Sequence, residues 1–348
     1  MSDRRETWSR RQFVSRLTLA GTAGFVGMRP DTGAAEPPPE TTRIRLFQWN
    51  SLCVTPQFVA EELLRSEGFS DIQYVQDPQG RGPEKLLASG EVDVNSQYSA
   101  PLIVRVDAGD PVTFLAGLHV GCFELFGTQR VRTIHDLKGK TVAVAALGSV
   151  AHVFISTIVA YVGLDPRRDV NFVTPPPAEA KRLLAEGKID AYLGFPPDLL
   201  ELRAQNVGHV LLNSVVDRPW SQYFCCMVSA NREFVRRNPV ATKRALRAIL
   251  KGDAICALEP ERAARFVVER GFADWVEKPA AVRYDYTLQT MRNVPYGKWR
   301  EFDPEDTLRF YALRLREAGM IKSSPQKILA QGTDWRFLNE LKKELKGS

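Results

Sequence analysis

Gly148-Ser149 stands directly before an apolar run, and the pair has the make-up of a helix start able to hold an anion. Free backbone N–H groups at a helix N-terminus, joined by a serine hydroxyl, suit a carboxylate, sulfonate or phosphate. The same two residues also make an ordinary cap, in which Ser149 satisfies its own helix. Trp49, Tyr98, Phe195 and Tyr223 offer flat apolar surface to a guest. Asn50, Asn95, Gln97 and Gln222 offer the few placed polar groups that a pocket needs. Each of those aromatics could equally pack in a core. No HExxH, paired CxxC or nucleophile elbow is present, so no catalytic residue is named.

Five cysteines occur: Cys53, Cys122, Cys225, Cys226 and Cys256. An odd number cannot all pair, and their spacings match no zinc motif. His119 with Cys122, His152 and the Cys225-Cys226 pair is the one set with metal-ligating types. It lacks ligand spacing, and a lone histidine near an apolar strand is usually structural. The expectation is therefore no metal and no cofactor, with the cysteines serving mainly as small buried hydrophobes.

These residues need a scaffold, and the sequence describes one twice. The alternation over 44–49 reads as a strand, and Thr55-Pro56 as a helix start with threonine at the cap. Gly68 ends that helix, and Ile72-Gln73-Tyr74-Val75 reads as the next strand. Thr141-Val142-Ala143-Val144-Ala145, a helix over 150–162 stopped by Gly163, and Val170-Asn171-Phe172-Val173 repeat the unit. Leu86-Leu87-Ala88-Ser89-Gly90-Glu91-Val92-Asp93-Val94 matches Leu183-Leu184-Ala185-Glu186-Gly187-Lys188-Ile189-Asp190-Ala191, 97 positions later. Three elements in one order at nearly one spacing indicate an internal duplication. Each copy is a β-α-β unit and implies an open parallel sheet.

The chain is then read as two α/β lobes. Residues 36–124 begin lobe one, 125–220 form lobe two, and 221–348 complete lobe one with C-terminal helices. Runs at 114–121 and 223–228 are the two crossing strands of a hinge. In open α/β sheets, ligands bind beyond the carboxyl ends of the strands. That rule gathers Trp49, Asn50 and Cys53; Asn95, Gln97 and Tyr98; Gly148, Ser149 and His152; and Phe195 and Asp198. The crossing strands add His119, Cys122, Gln222 and Tyr223.

Residues 1–35 read as a signal peptide. Ser9-Arg10-Arg11-Gln12-Phe13-Val14 is a twin-arginine pattern, an apolar stretch follows, and Thr32-Gly33-Ala34-Ala35 offers a cleavage site. The formal charge of +6 falls to +3 without this segment, which carries six arginines and three acids. So small a charge gives no argument for nucleic acid as a partner.

Beyond these signals, the chain resembles the periplasmic binding proteins of nitrate, sulfonate and taurine ABC importers. That family also takes in proteins of thiamine-pyrimidine synthesis. The carriers are Trp49-Asn50, Leu87-Ala88-Ser89-Gly90-Glu91-Val92-Asp93, the turn Asp136-Leu137-Lys138-Gly139-Lys140, Gly148-Ser149, and Asn231-Arg232-Glu233-Phe234-Val235. The resemblance implies a type II periplasmic-binding-protein fold with two hinge strands. It implies capture of a small organic solute, sulfonate- or carboxylate-like, for an ABC permease in the inner membrane. The expected protein is a monomer in the periplasm, delivered by the twin-arginine translocase, and not an enzyme. The alternatives are a thiamine-pyrimidine-type enzyme of the same fold, or a sensor subunit. Some of those enzymes carry a cysteine-rich, histidine-led iron motif, whereas this chain has only Tyr223-Phe224-Cys225-Cys226-Met227.

Overall fold

The structure, a computed structural model, describes residues 36–345. The expected signal peptide lies outside the described residues. Ten strands follow in chain order: β1 (Arg43–Phe47), β2 (Asp71–Val75), β3 (Val94–Tyr98), β4 (Val112–Val120), β5 (Glu124–Gly127), β6 (Lys140–Ala143), β7 (Val170–Val173), β8 (Ala191–Gly194), β9 (His209–Asn213) and β10 (Phe224–Asn231). They form two five-stranded sheets, ordered β2-β1-β3-β10-β4 and β7-β6-β8-β5-β9.

The duplication is visible in that order. Arg43 and Lys140, Val94 and Ala191, and Val112 and His209, which open matching strands, each stand 97 positions apart. The expected all-parallel sheets are corrected in one respect: each sheet is mixed. β1 pairs in parallel with β2 and β3, but β10 runs antiparallel to β3 and β4. In the second sheet β5 takes the antiparallel place, between β8 and β9. The cause is the route of the chain. β5 and β10 each enter a sheet directly from the other lobe, at the end where its parallel strands finish, and so must run the opposite way.

The aspartate that ends each "Gly-x-x-Asp" turn does the same work twice. Asp93 Oδ2 accepts the backbone N–H of Arg45 at 2.8 Å, and Asp190 Oδ2 accepts that of Thr141 at 2.9 Å. Each carboxylate also takes an arginine, Arg45 on Asp93 and Arg130 on Asp190. Burial raises the Asp190 pKa, but the Thr141 N–H and Arg130 outweigh it, and the carboxyl lies below its ordinary value. Asp190→Ala is therefore expected to cost about 1–3 kcal/mol at neutral pH, measured by urea unfolding. A lowered native pKa stabilises only while the carboxyl is ionised, so the gap between wild type and variant closes as pH falls through that pKa.

All nine residues of β4 and all eight of β10 are buried. β4 is the last strand of the first sheet and β10 the one beside it, both covered by helices, and they read as nearly continuous apolar runs for that reason. Gly117 on β4 lies against Phe224; a Cβ there would fall 2.2 Å from the ring, so only glycine lets the two strands meet. Of the C-terminal helices, Pro239–Leu258 packs on Thr55–Val59, and Pro304–Glu317 packs on both Ser99–Asp107 and Val150–Tyr161. No helix among the described residues is long and apolar enough to cross a membrane.

Candidate functional site

A cavity of 620 Å³ opens where the carboxyl ends of the strands face each other. Lobe one supplies the loops after β1 and β2, the end of β3, and Cys226 at the start of β10. The second sheet's side supplies Phe123, Val150 and Phe195. Trp275, between the helices Pro260–Glu269 and Ala280–Asn293, closes one wall. Leu52 N–H donates to Pro196 O at 3.4 Å, joining loops from the two lobes.

Buried Gln57 fixes this geometry locally. Its Nε2 donates to Phe47 O at the end of β1, and its Oε1 accepts the N–H of Ser96 in β3. A buried amide with both ends satisfied locks the two strand ends together. An edge-on aromatic set continues across the cleft: Tyr98 meets Phe123 at 5.2 Å, and Phe123 faces Phe195 at 6.5 Å.

Three polar side chains on the floor form a directional chain. The indole N–H of Trp49 donates to Asn95 Oδ1 at 2.8 Å, and Asn95 Nδ2 donates to Gln97 Oε1 at 2.6 Å. An indole can only donate, so it fixes which end of Asn95 is oxygen, and Asn95 in turn fixes Gln97. Gln97 lines the cavity, and its buried Nε2 is left without a partner. An unmatched buried donor is costly, and a guest with an acceptor relieves that cost. Among the described residues, Asp77 is the only formally charged one in the cavity wall. Its Oδ2 accepts from Gly82 N–H at 2.7 Å, while its Oδ1 has no hydrogen bond and lies 3.8 Å from Arg81 Nε.

Beneath the floor, Cys53, His119, Cys122 and Cys226 bring their donor atoms within 4.8 Å of one another, all four residues buried. Cys53 and Cys226 also line the cavity. Burial works against charge on His119, yet neighbouring Cys226 overrides it and raises the imidazole pKa well above its ordinary value. Burial likewise opposes a Cys226 thiolate, but hydrogen bonds with Cys122, Cys225 and Cys53, and the His119 charge, hold that thiol well below. Cys225 Sγ sits 3.3 Å from Cys122 Sγ.

Of the residues named from sequence, Trp49, Asn50, Cys53, Gln97, Tyr98 and Phe195 line the cavity. Asn95, His119 and Cys122 stand just behind it. The remainder do not line it. Gly148 gives its N–H to His152 Nδ1 at 3.0 Å, and Ser149 Oγ accepts the N–H of His152 at 3.4 Å. The Gly148 N–H is thus taken locally, and Ser149 Oγ acts as the acceptor of the helix cap. His152 is half-buried against Phe172, where burial lowers its pKa. Asp198 is held by Lys181 Nζ and the Tyr192 hydroxyl. Gln222 is exposed, and Tyr223 stacks on Phe310 at 4.1 Å. Gln76, Asp77 and Phe123 escaped the sequence reading although the strand-end rule points to the first two, and Cys226 was named there only among the metal-ligating types. Trp275 carries no local signal of its role.

The family model described as NMT1/THI5 like matches residues 55–263. The yeast protein 4-amino-5-hydroxymethyl-2-methylpyrimidine phosphate synthase THI13 (Saccharomyces cerevisiae) is 25% identical over 238 residues, 63% of this chain and 68% of its own. The alkanesulfonate-binding protein SsuA from Xanthomonas axonopodis pv. citri, solved with MOPS, superposes with a TM-score of 0.65 at 18% identity, covering 87% of this chain and 100% of that one. The periplasmic nitrate-binding protein NrtA from Synechocystis PCC 6803 gives 0.70 at 16% identity, covering 90% and 91%. At such identities these two likenesses establish the fold, that of the periplasmic binding proteins. The family match runs from the helix after β1 past the whole of β10, through both sheets and both crossings, and by it the chain belongs to the NMT1/THI5-like family.

Proposed function

We propose that this protein is the solute-binding component of an importer and captures a small, flat, polar organic molecule between its lobes. The observation that carries the reading is the free Gln97 Nε2, oriented by Trp49 and Asn95 inside an aromatic-walled cavity. Pockets for small molecules have this make-up: mostly apolar walls with a few convergent polar groups. Lobe closure about the crossing strands would bury the guest, and a membrane permease would receive the closed form. A periplasmic, monomeric protein exported through the twin-arginine pathway fits this role. The fold shared with SsuA and NrtA supports it.

The guest is more specific than the sequence allowed. Among the described residues no lysine or arginine lines the cavity, the Gly148 N–H is given to His152 Nδ1, and the Ser149 N–H is given to Ala146 O. A compact anion such as nitrate therefore finds little here. A planar ring fits better, with an acceptor for Gln97 and a donor for Asp77.

The test is a melting-temperature screen of the purified chain against pyrimidines, other heteroaromatic amides, aromatic carboxylates, aliphatic sulfonates and nitrate. A ligand at about a hundredfold excess over its Kd adds about 2.7 kcal/mol, which raises Tm by several degrees. The expected hits are heteroaromatic. A response to nitrate alone, or to nothing, overturns the reading. A second reading, an enzyme akin to the yeast synthase, draws on the thiol and imidazole cluster beside the cavity. Recovering the bound compound unchanged favours capture; recovering a product favours catalysis.

A further inference from the structure

We infer that Cys53, His119, Cys122 and Cys226 form a tetrahedral zinc site beneath the floor of the cleft. The inference stands apart from the solute reading, since it rests on the cluster's own geometry.

The first support is the donor set. Three thiols and one imidazole are the soft, nitrogen-and-sulfur ligands that Zn²⁺ prefers, and no oxygen donor competes in the cluster. With Zn–S bonds of about 2.3 Å, the sulfurs of a tetrahedral site lie about 3.8 Å apart. Donors within 4.8 Å of one another need only a small inward movement.

The second support is the state of His119. Its Nδ1 lies 3.1 Å from Gly121 O. A carbonyl only accepts, so Nδ1 donates to it, and Nε2 is the ring nitrogen left for a metal. That Nε2 is buried and has no hydrogen-bond partner. Metal-bound histidines are held in this manner, with the far nitrogen donating to a carbonyl.

The surroundings hold the other ligands as firmly. Tyr296 packs edge-on to the His119 ring at 5.4 Å, and its hydroxyl donates to Cys53 O at 2.8 Å. Ser51 Oγ lies 3.2 Å from Cys53 Sγ. Cys122 N–H donates to Ser214 Oγ at 3.1 Å. The register between β4 and β10 shifts on both sides of Cys226, the kind of bulge that re-aims a side chain. Cys53 and Cys226 reach the cavity wall, which gives the ion a route in.

Binding would form three Zn–S bonds and one Zn–N bond and release three protons in all. The ion would join the β1 loop, β4, the first crossing and β10 at the hinge.

The test uses the whole chain, purified under reducing conditions, with metal content measured after dialysis. About one zinc per chain is expected. Cobalt(II) in its place should give the intense visible bands of a tetrahedral thiolate site, a readout that needs no variant. Cys226→Ser should lower zinc retention about tenfold or more, while Cys256→Ser, outside the cluster, should leave it unchanged. A folded, reduced chain that retains no zinc and gives no such cobalt bands overturns the site. So does native protein with Cys122 and Cys225 joined as a disulfide.

Discussion

Gly121→Ala is expected to destabilise the protein by about 3–5 kcal/mol, the sum of backbone strain and a steric clash. Gly121 has φ of +55°, where a side chain is strained. Its new Cβ would also fall 2.6 Å from Val215 Cα and 2.7 Å from Ser214 C and O. Those are backbone atoms, with no flexible end to swing aside. The contact joins the two crossings between the lobes. Cys122 and Phe123, on the first, both give their N–H groups to Ser214 Oγ at the start of the second. Pushing the segments apart breaks these bonds and moves Phe123 in the cavity wall. Gly139→Ala serves as the control, because Gly139 has φ of +73° with nothing within 4 Å of its would-be Cβ. It should cost strain alone, about 1–2 kcal/mol. Urea unfolding of both variants measures the difference, and equal losses would refute the close-approach argument.

The parts of this fold legible in the sequence are those written locally. Stops such as Gly163 and the repeat at Asp93 and Asp190 each need only a short window of residues, whereas the helix expected to be capped by Thr55 starts one residue earlier, with Val54 at the cap and the Thr55 hydroxyl donating to Leu52 O. Strand direction was not legible for β5 and β10, because it follows from which lobe the chain has just left. The cavity was half legible. The rule that ligands sit beyond strand ends found Trp49, Gln97 and Phe195, and applied after β2 it reaches Asp77. It also gathered Gly148, Ser149 and Asp198, which bond to their neighbours and do not line the cavity. Residue type and position do not reveal whether a donor is already taken. The thiol cluster shows the same limit from the other side. Positions 53, 119, 122 and 226 have no motif spacing, and only pairing of His119 with Cys226 across β4 and β10 brings them together.

Gln97→Leu is expected to weaken solute binding about ten- to a hundredfold, the worth of one buried hydrogen bond with its desolvation. Leucine keeps most of the volume but removes the donor that Trp49 and Asn95 orient. Asn95 Nδ2 then loses its acceptor, so stability should also fall, by about 1–3 kcal/mol. Titrations well below the melting point separate the two effects.

The most direct test of capture between two lobes is one calorimetric titration series with one compound from the melting screen. It compares the wild-type chain, Gln97→Leu on the first sheet, and Phe195→Ala beyond the end of β8 on the second. Both variants are predicted to raise Kd for that same compound by about tenfold or more. A compound whose affinity ignores the substitution in either lobe would contradict the account.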